Sequence, residues 1–164
     1  MCTKLALEIP QYFKGIAPIA ANMPVETNND CYQSKLPVSM LIMHGTADPL
    51  NPYNGGKTGL NDGYDRGEAV STTESVNYWL KLDGCTNRAD SSMYPDVNKD
   101  DNSTAYNYTY SNPQTGKKVV FIKIVNGGHN IPNPGFNFWP KMLGNVNKDI
   151  DSPQIIIDFF EGLK

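Results

Sequence analysis

The sequence predicts an α/β fold of mostly parallel strands flanked by helices, with a β-hairpin and a closing carboxyl-terminal helix. Three observations carry that prediction. Residues 36–43 (LPVSMLIM) form a nearly unbroken apolar run closed by His44-Gly45, the pattern of a strand buried on both faces within a parallel sheet. Residues 118–125 (KVVFIKIV) form a second run, closed by Asn126-Gly127-Gly128-His129. Segments of helical period, 68–82 and 151–163, are interspersed with these runs, and such alternation packs helices against a sheet.

Taken in order, residues 1–9 (MCTKLALEI) have helical spacing, with Leu5 and Ile9 on one face, and Pro10 stops them. Residues 13–21 (FKGIAPIAA) read as a short buried strand, and 22–35 as a polar loop holding Cys31. After the 36–45 strand, 51–67 is rich in Gly and Asn without apolar period. It is expected to be a long loop that shapes a pocket beside Asp48. The 68–82 helix places Val76, Trp79 and Leu80 on its apolar side, and Gly84 supplies its carboxyl-terminal cap. Residues 86–104 read as polar and irregular. Residues 105–110 (AYNYTY) alternate as a half-exposed strand, and a turn at 111–117 joins them to 118–125 as a hairpin. A proline- and aromatic-rich loop, 130–140, precedes the last helix. Asp151 or Ser152 caps that helix, Pro153 opens its first turn, and Ile155, Ile156, Phe159 and Phe160 form its buried face.

The 164 residues are expected to form one domain, 1–164. A net charge of −3 with no Lys/Arg cluster argues against a nucleic-acid partner. No apolar run approaches the roughly 20 residues of a membrane helix, and residues 1–9 lack the apolar core of a signal peptide. Three cysteines leave two states open: a Cys31–Cys85 disulfide with Cys2 free, or three thiols. Cysteine and histidine spacing offers no metal site. Residues 96–107 begin like a calcium loop, but Asp101 stands where glycine is needed and Asn107 where glutamate is, so an acidic turn is expected. Asn102-Ser103-Thr104 and Asn107-Tyr108-Thr109 match the glycosylation sequon.

Asp48 leaves one buried strand and His129 leaves the other, at the edge where open α/β sheets place their ligands. An acid that orients a histidine, with the acid first in sequence, is two-thirds of a Ser-His-Asp triad. An Asp after a strand is most often only a turn residue; the pairing with a glycine-flanked histidine raises the catalytic reading. His44 is expected to pack under the acid loop and Trp79 to lie in the core. Trp139, with Phe136 and Phe138, is a candidate lining for a substrate pocket.

Residues 37–48 (PVSMLIMHGTAD) resemble the acid-bearing strand and H-G-x-x-D loop of α/β-hydrolase esterases. Residues 13–24, 78–85 (YWLKLDGC), 126–132 (NGGHNIP) and 150–160 resemble, in the same order, segments of the polyhydroxybutyrate depolymerase-like and feruloyl esterase group. The resemblance implies the carboxyl-terminal part of an α/β-hydrolase sheet and hydrolysis of carboxylic esters such as feruloylated sugars or short polyesters. Asp48 would orient His129 as general base, no cofactor would be needed, and the protein would be secreted or periplasmic. It also implies a nucleophile elbow, G-x-S-x-G, just before the helix at 1–9, and these residues contain no such motif. Ser34, Ser39, Ser71 and Cys2 lack the flanking glycines, so little triad catalysis is expected of the chain alone. Two other readings stay open at this point. One is a peptidase of the prolyl-oligopeptidase kind; the other is a non-catalytic hydrolase half that binds a partner or forms a homodimer through an exposed sheet edge.

Overall fold

The computed structural model describes residues 1–31, 33–60, 62, 64–85, 89–135 and 141–163. In chain order these form α1 (Cys2–Glu8), β1 (Gly15–Ile16), β2 (Ser39–Gly45), β3 (Gly56–Lys57), β4 (Glu68–Ala69) and α2 (Thr72–Asp83). β5 (Asp90–Met93), β6 (Thr104–Ser111), β7 (Lys118–Val125) and α3 (Ser152–Glu161) follow. One sheet runs β1-β2-β7-β6-β5, and β3 pairs with β4 in a small separate ladder.

β2 is the spine, buried along its whole length. Its alternate side chains feed two cores. Val38, Met40 and Ile42, with Val119 and Phe121 of β7, pack against Ala6 and Leu7 of α1 and Val76 and Trp79 of α2. Leu41 and Met43, with Ile122 and Ile124, pack against Phe159 of α3 and Leu163 beyond it. The unbroken apolar run Met40–Met43 within β2 follows, because helices cover both faces of the sheet at this strand.

The sheet is an α/β sheet, but it is not mostly parallel. β1, β2 and β7 run parallel, whereas β6 and β5 are antiparallel additions. The hairpin turn explains the first addition: Asn112 accepts from the N–H of Gln114 and of Thr115, and its own N–H reaches Lys117 O, so β6 returns onto β7. β6 then pairs with β5, inside the segment expected to be irregular. β5 reads Asp-Ser-Ser-Met and is exposed throughout, so it carries no apolar period; backbone hydrogen bonds alone define it.

Local chemistry moved several boundaries. α2 begins at Thr72, not Glu68, because Glu68–Ala69 pairs with β3 and Ser71 then caps the helix in a reciprocal box with Glu74. Gly84 ends α2 in the left-handed conformation (φ 65°), as its position implied. The expected strand at 13–21 shrinks to Gly15–Ile16 plus an isolated bridge from Ile19 to Met43. α1 buries Ala6 and Leu7 and leaves Ile9 exposed; α3 buries Phe159, half-buries Ile155 and Ile156, and exposes Phe160. All three cysteines are free. The Cys31–Cys85 bond is not formed: the buried Cys85 thiol lies 3.5 Å from Lys117 O, while Cys31 sits 3.9 Å from Lys4 Nζ. No described helix is long and apolar enough to cross a membrane.

Candidate active site

The site assembles where β2 and β7 end side by side. Thr46 N–H donates to Ile124 O (2.8 Å), Asn126 N–H to Thr46 Oγ1 (2.8 Å) and Ala47 N–H to Gly127 O (2.9 Å), so the two exit loops are stitched together. Gly45 makes this approach feasible. A Cβ there would stand 2.2 Å from Gly127 O and 2.6 Å from Gly128 O.

That stitching brings together the two residues singled out in the sequence. His129 Nδ1 lies 2.9 Å from Asp48 Oδ2. A carboxylate only accepts, so Nδ1–H is the donor, which in the neutral imidazole leaves the lone pair on Nε2. The Asp48 side chain is fully buried, and its Oδ1 accepts from Leu50 N–H and Asn51 N–H, both at 2.8 Å. The His129 side chain keeps a third of its surface open, as a group that exchanges protons with a substrate must.

His44 lies beneath the loop and is almost wholly buried. Its Nε2–H donates to Asn51 O (2.9 Å) and stands 3.5 Å from Asp48 Oδ2, while the Tyr53 ring packs edge-on against it. Burial is the largest influence on its pKa and pushes it below the ordinary histidine value, outweighing the upward pull of Asn51 O and Asp48. His44 is therefore a neutral prop for the acid loop. Asn51 extends the bracing, with its Nδ2 3.3 Å from Ala20 O.

A second brace was not legible in the sequence. The segment 143–145 passes behind His129, accepting His129 N–H at Leu143 O (2.7 Å) and Gly128 N–H at Asn145 O (2.8 Å). The buried Asn130 clamps it, with Nδ2 within 3.1–3.2 Å of the carbonyls of Leu143, Gly144 and Asn145. Gly128 is again obligatory, since a Cβ there would meet Leu143 O at 2.0 Å. An Asn directly after a candidate histidine was the only available signal, and asparagine is too common in this chain to stand out.

This geometry gives the comparison with known proteins its meaning. No protein-family model matches the chain. It is 29% identical over 167 residues to a protein of Nocardia uniformis subsp. tsuyamanensis named "Putative esterase NocK". The chain resembles half of an esterase-like protein. The alignment takes in 99% of this chain and 48% of the other, so the chain spans about half the length of that relative.

The remaining sequence candidates scatter. Phe136, Phe138 and Trp139 lie outside the described residues. Trp79 is core. Ser39 Oγ accepts Lys118 N–H inside the sheet, Ser71 caps α2, and Cys2 is exposed on α1. A cavity of about 300 Å³ does open beside His129, lined by Ile19, Ala20, Asn130, Ile131 and Leu143. Among the described residues no cluster of three or more His, Cys, Asp or Glu is placed to hold a metal ion. The acidic turn near residue 96 is occupied internally: Asp96 pairs with Lys99, and Asp101 accepts from Ser103 and Lys148 N–H.

Proposed function

We propose that this chain carries the acid and the base of a carboxylic-ester hydrolase of the α/β-hydrolase type, with Asp48 orienting His129. The observation that carries the reading is the 2.9 Å contact between a fully buried carboxylate and a partly open imidazole. Similarity to a protein named as an esterase supports the same class. The nucleophilic serine would come from a part of the protein outside these 164 residues.

In the reaction, His129 Nε2 takes the serine hydroxyl proton as the oxygen attacks the ester carbonyl, and the Nδ1–H···Asp48 bond stabilises the imidazolium that forms. The same proton passes to the departing alkoxide, giving an acyl-enzyme. Water then repeats the sequence, with Nε2 taking its proton and returning it to the serine. Feruloyl or polyester substrates are the finer expectation, carried by the sequence resemblance.

Two measurements test this reading. The proton NMR spectrum should contain a strongly downfield His129 Nδ1–H signal that disappears in Asp48→Asn; its persistence in that variant would refute the pairing. The isolated chain should hydrolyse p-nitrophenyl butyrate no faster than buffer. Activity that vanishes in His129→Ala would place the nucleophile inside these residues. An upstream reading frame without G-x-S-x-G, together with an inactive chain, would defeat the esterase reading.

A further inference from the structure

The cavity beside His129 has a chemical character of its own. Among the described residues, its side-chain walls are Ile19, Ala20, Ile131 and Leu143, with His129 and Asn130 as the polar members. Asn130 offers nothing to an occupant: its Nδ2 is committed to three carbonyls, and its Oδ1 is shut away from solvent. Leu143 O accepts His129 N–H, and Ala20 O accepts from Asn51, so these backbone acceptors are already engaged. Among the described lining residues, His129 is thus the polar side chain left for a ligand.

The walls are also held in place relative to His129. Ile19 is bridged to Met43 near the end of β2, Leu143 belongs to the segment clamped by Asn130, and Ile131 follows His129 by two residues. At about 300 Å³ the cavity is at the small end of ligand pockets.

We infer that this cavity seats a compact aliphatic acyl group of the ester, walled by Ile19, Ile131 and Leu143, and that it rejects charged or polyhydroxylated acyl groups. The inference rests on the esterase reading of His129 and names the substrate class of that site. Each methylene taken from water strengthens binding about fourfold. Away from His129, a hydroxyl placed there would give up its water contacts to apolar walls, and no described wall side chain offers it a partner.

The isolated chain, expected not to turn esters over, serves as its own binding assay. Methyl-labelled protein is titrated with ethyl acetate, ethyl butyrate and ethyl gluconate while the Ile131, Leu143 and His129 signals are followed. Ethyl butyrate should bind up to about fifteenfold more tightly than ethyl acetate, two methylenes at fourfold each. Ethyl gluconate should bind no more tightly than acetate. Ile131→Glu, at a half-exposed position that tolerates charge, should weaken butyrate binding at least about fivefold. Leu143→Ala should move the preference toward ethyl hexanoate. Butyrate shifts centred elsewhere, no binding, or gluconate binding as tightly as butyrate would overturn the inference. The downfield Nδ1–H signal reports separately on Asp48–His129: its absence counts against the esterase reading, whereas its presence without butyrate shifts at Ile131 and Leu143 counts against the cavity alone.

Discussion

Asp48 takes hydrogen bonds from His129, Leu50 and Asn51, and each donor has a different task. The two backbone donors fix the carboxylate; the imidazole is what the carboxylate in turn fixes. Such convergence depends on a residue with no side chain, Gly45. Gly45→Ala drives a methyl group into the Gly127 and Gly128 carbonyls, and backbone on both sides leaves little room to yield. The expected cost is about 2–3 kcal/mol, with loss of the downfield His129 signal even in the population that stays folded. Denaturant titration and the proton spectrum measure both effects. Ala20, at the cavity wall, adopts a positive φ of 50° and is held by Met43 O and Asn51 Nδ2. Such a conformation persists in a non-glycine residue only when its surroundings impose it.

At the scale of elements, strand ends create the site and helix ends stabilise what surrounds it. α2 packs Val76 and Trp79 on the β2–β7 core, and its first turn lies against the acid loop through Thr72 N–H on Tyr53 O (2.9 Å). Its start depends on the Ser71–Glu74 box, in which Glu74 N–H reaches Ser71 Oγ at 3.1 Å and Ser71 N–H reaches Glu74 Oε2 at 2.9 Å. Ser71→Ala should cost about 1 kcal/mol and lower the melting temperature by about 2–4 °C. The Asp48–His129 signal should survive, because the cap touches neither residue. The 143–145 segment plays the opposite role, contributing little core but aligning the His129 backbone.

Across the whole molecule, two buried titratable groups pull stability in opposite directions with pH. Asp83, at the end of α2, accepts Val38 N–H on one oxygen while the other is buried without a partner. Burial pushes its carboxyl up to about 7, against the downward pull of Val38 N–H and Lys117. The folded state therefore holds a proton that the unfolded chain releases near its ordinary value, and stability falls as pH rises from about 4 to about 7. His44 works the other way: held neutral by burial, it costs stability as pH falls below the ordinary histidine value. Asp83→Asn should remove the alkaline loss, on the order of a few kcal/mol, and leave the acid-side loss intact. Urea unfolding of both proteins at about pH 5 and about pH 8 tests this. The same change in stability between the two pH values in wild type and in Asp83→Asn would refute it.

Sequence alone determined the α/β class, the strands β2 and β7, the hairpin, the Gly84 end of α2, the capped start of α3, and the placing of Asp48 and His129 at strand ends. All of these are written in local signals: continuous apolar runs, alternation, and Ser, Asp, Pro or Gly at helix ends. Tertiary structure decided the rest. β5 forms because β6 presents a free edge, not because its own residues favour a strand. Which residues of α1 and α3 are buried depends on the angle at which each helix meets the sheet, and a period alone leaves that angle undetermined. Asn130 and the carbonyls of residues 143–145 are separated in sequence and meet only behind His129. The contact between Asp48 and His129 is of the same kind: residue types and order announced it, but parallel pairing of two strands, with Gly45 to let their exits touch, brought the atoms to 2.9 Å.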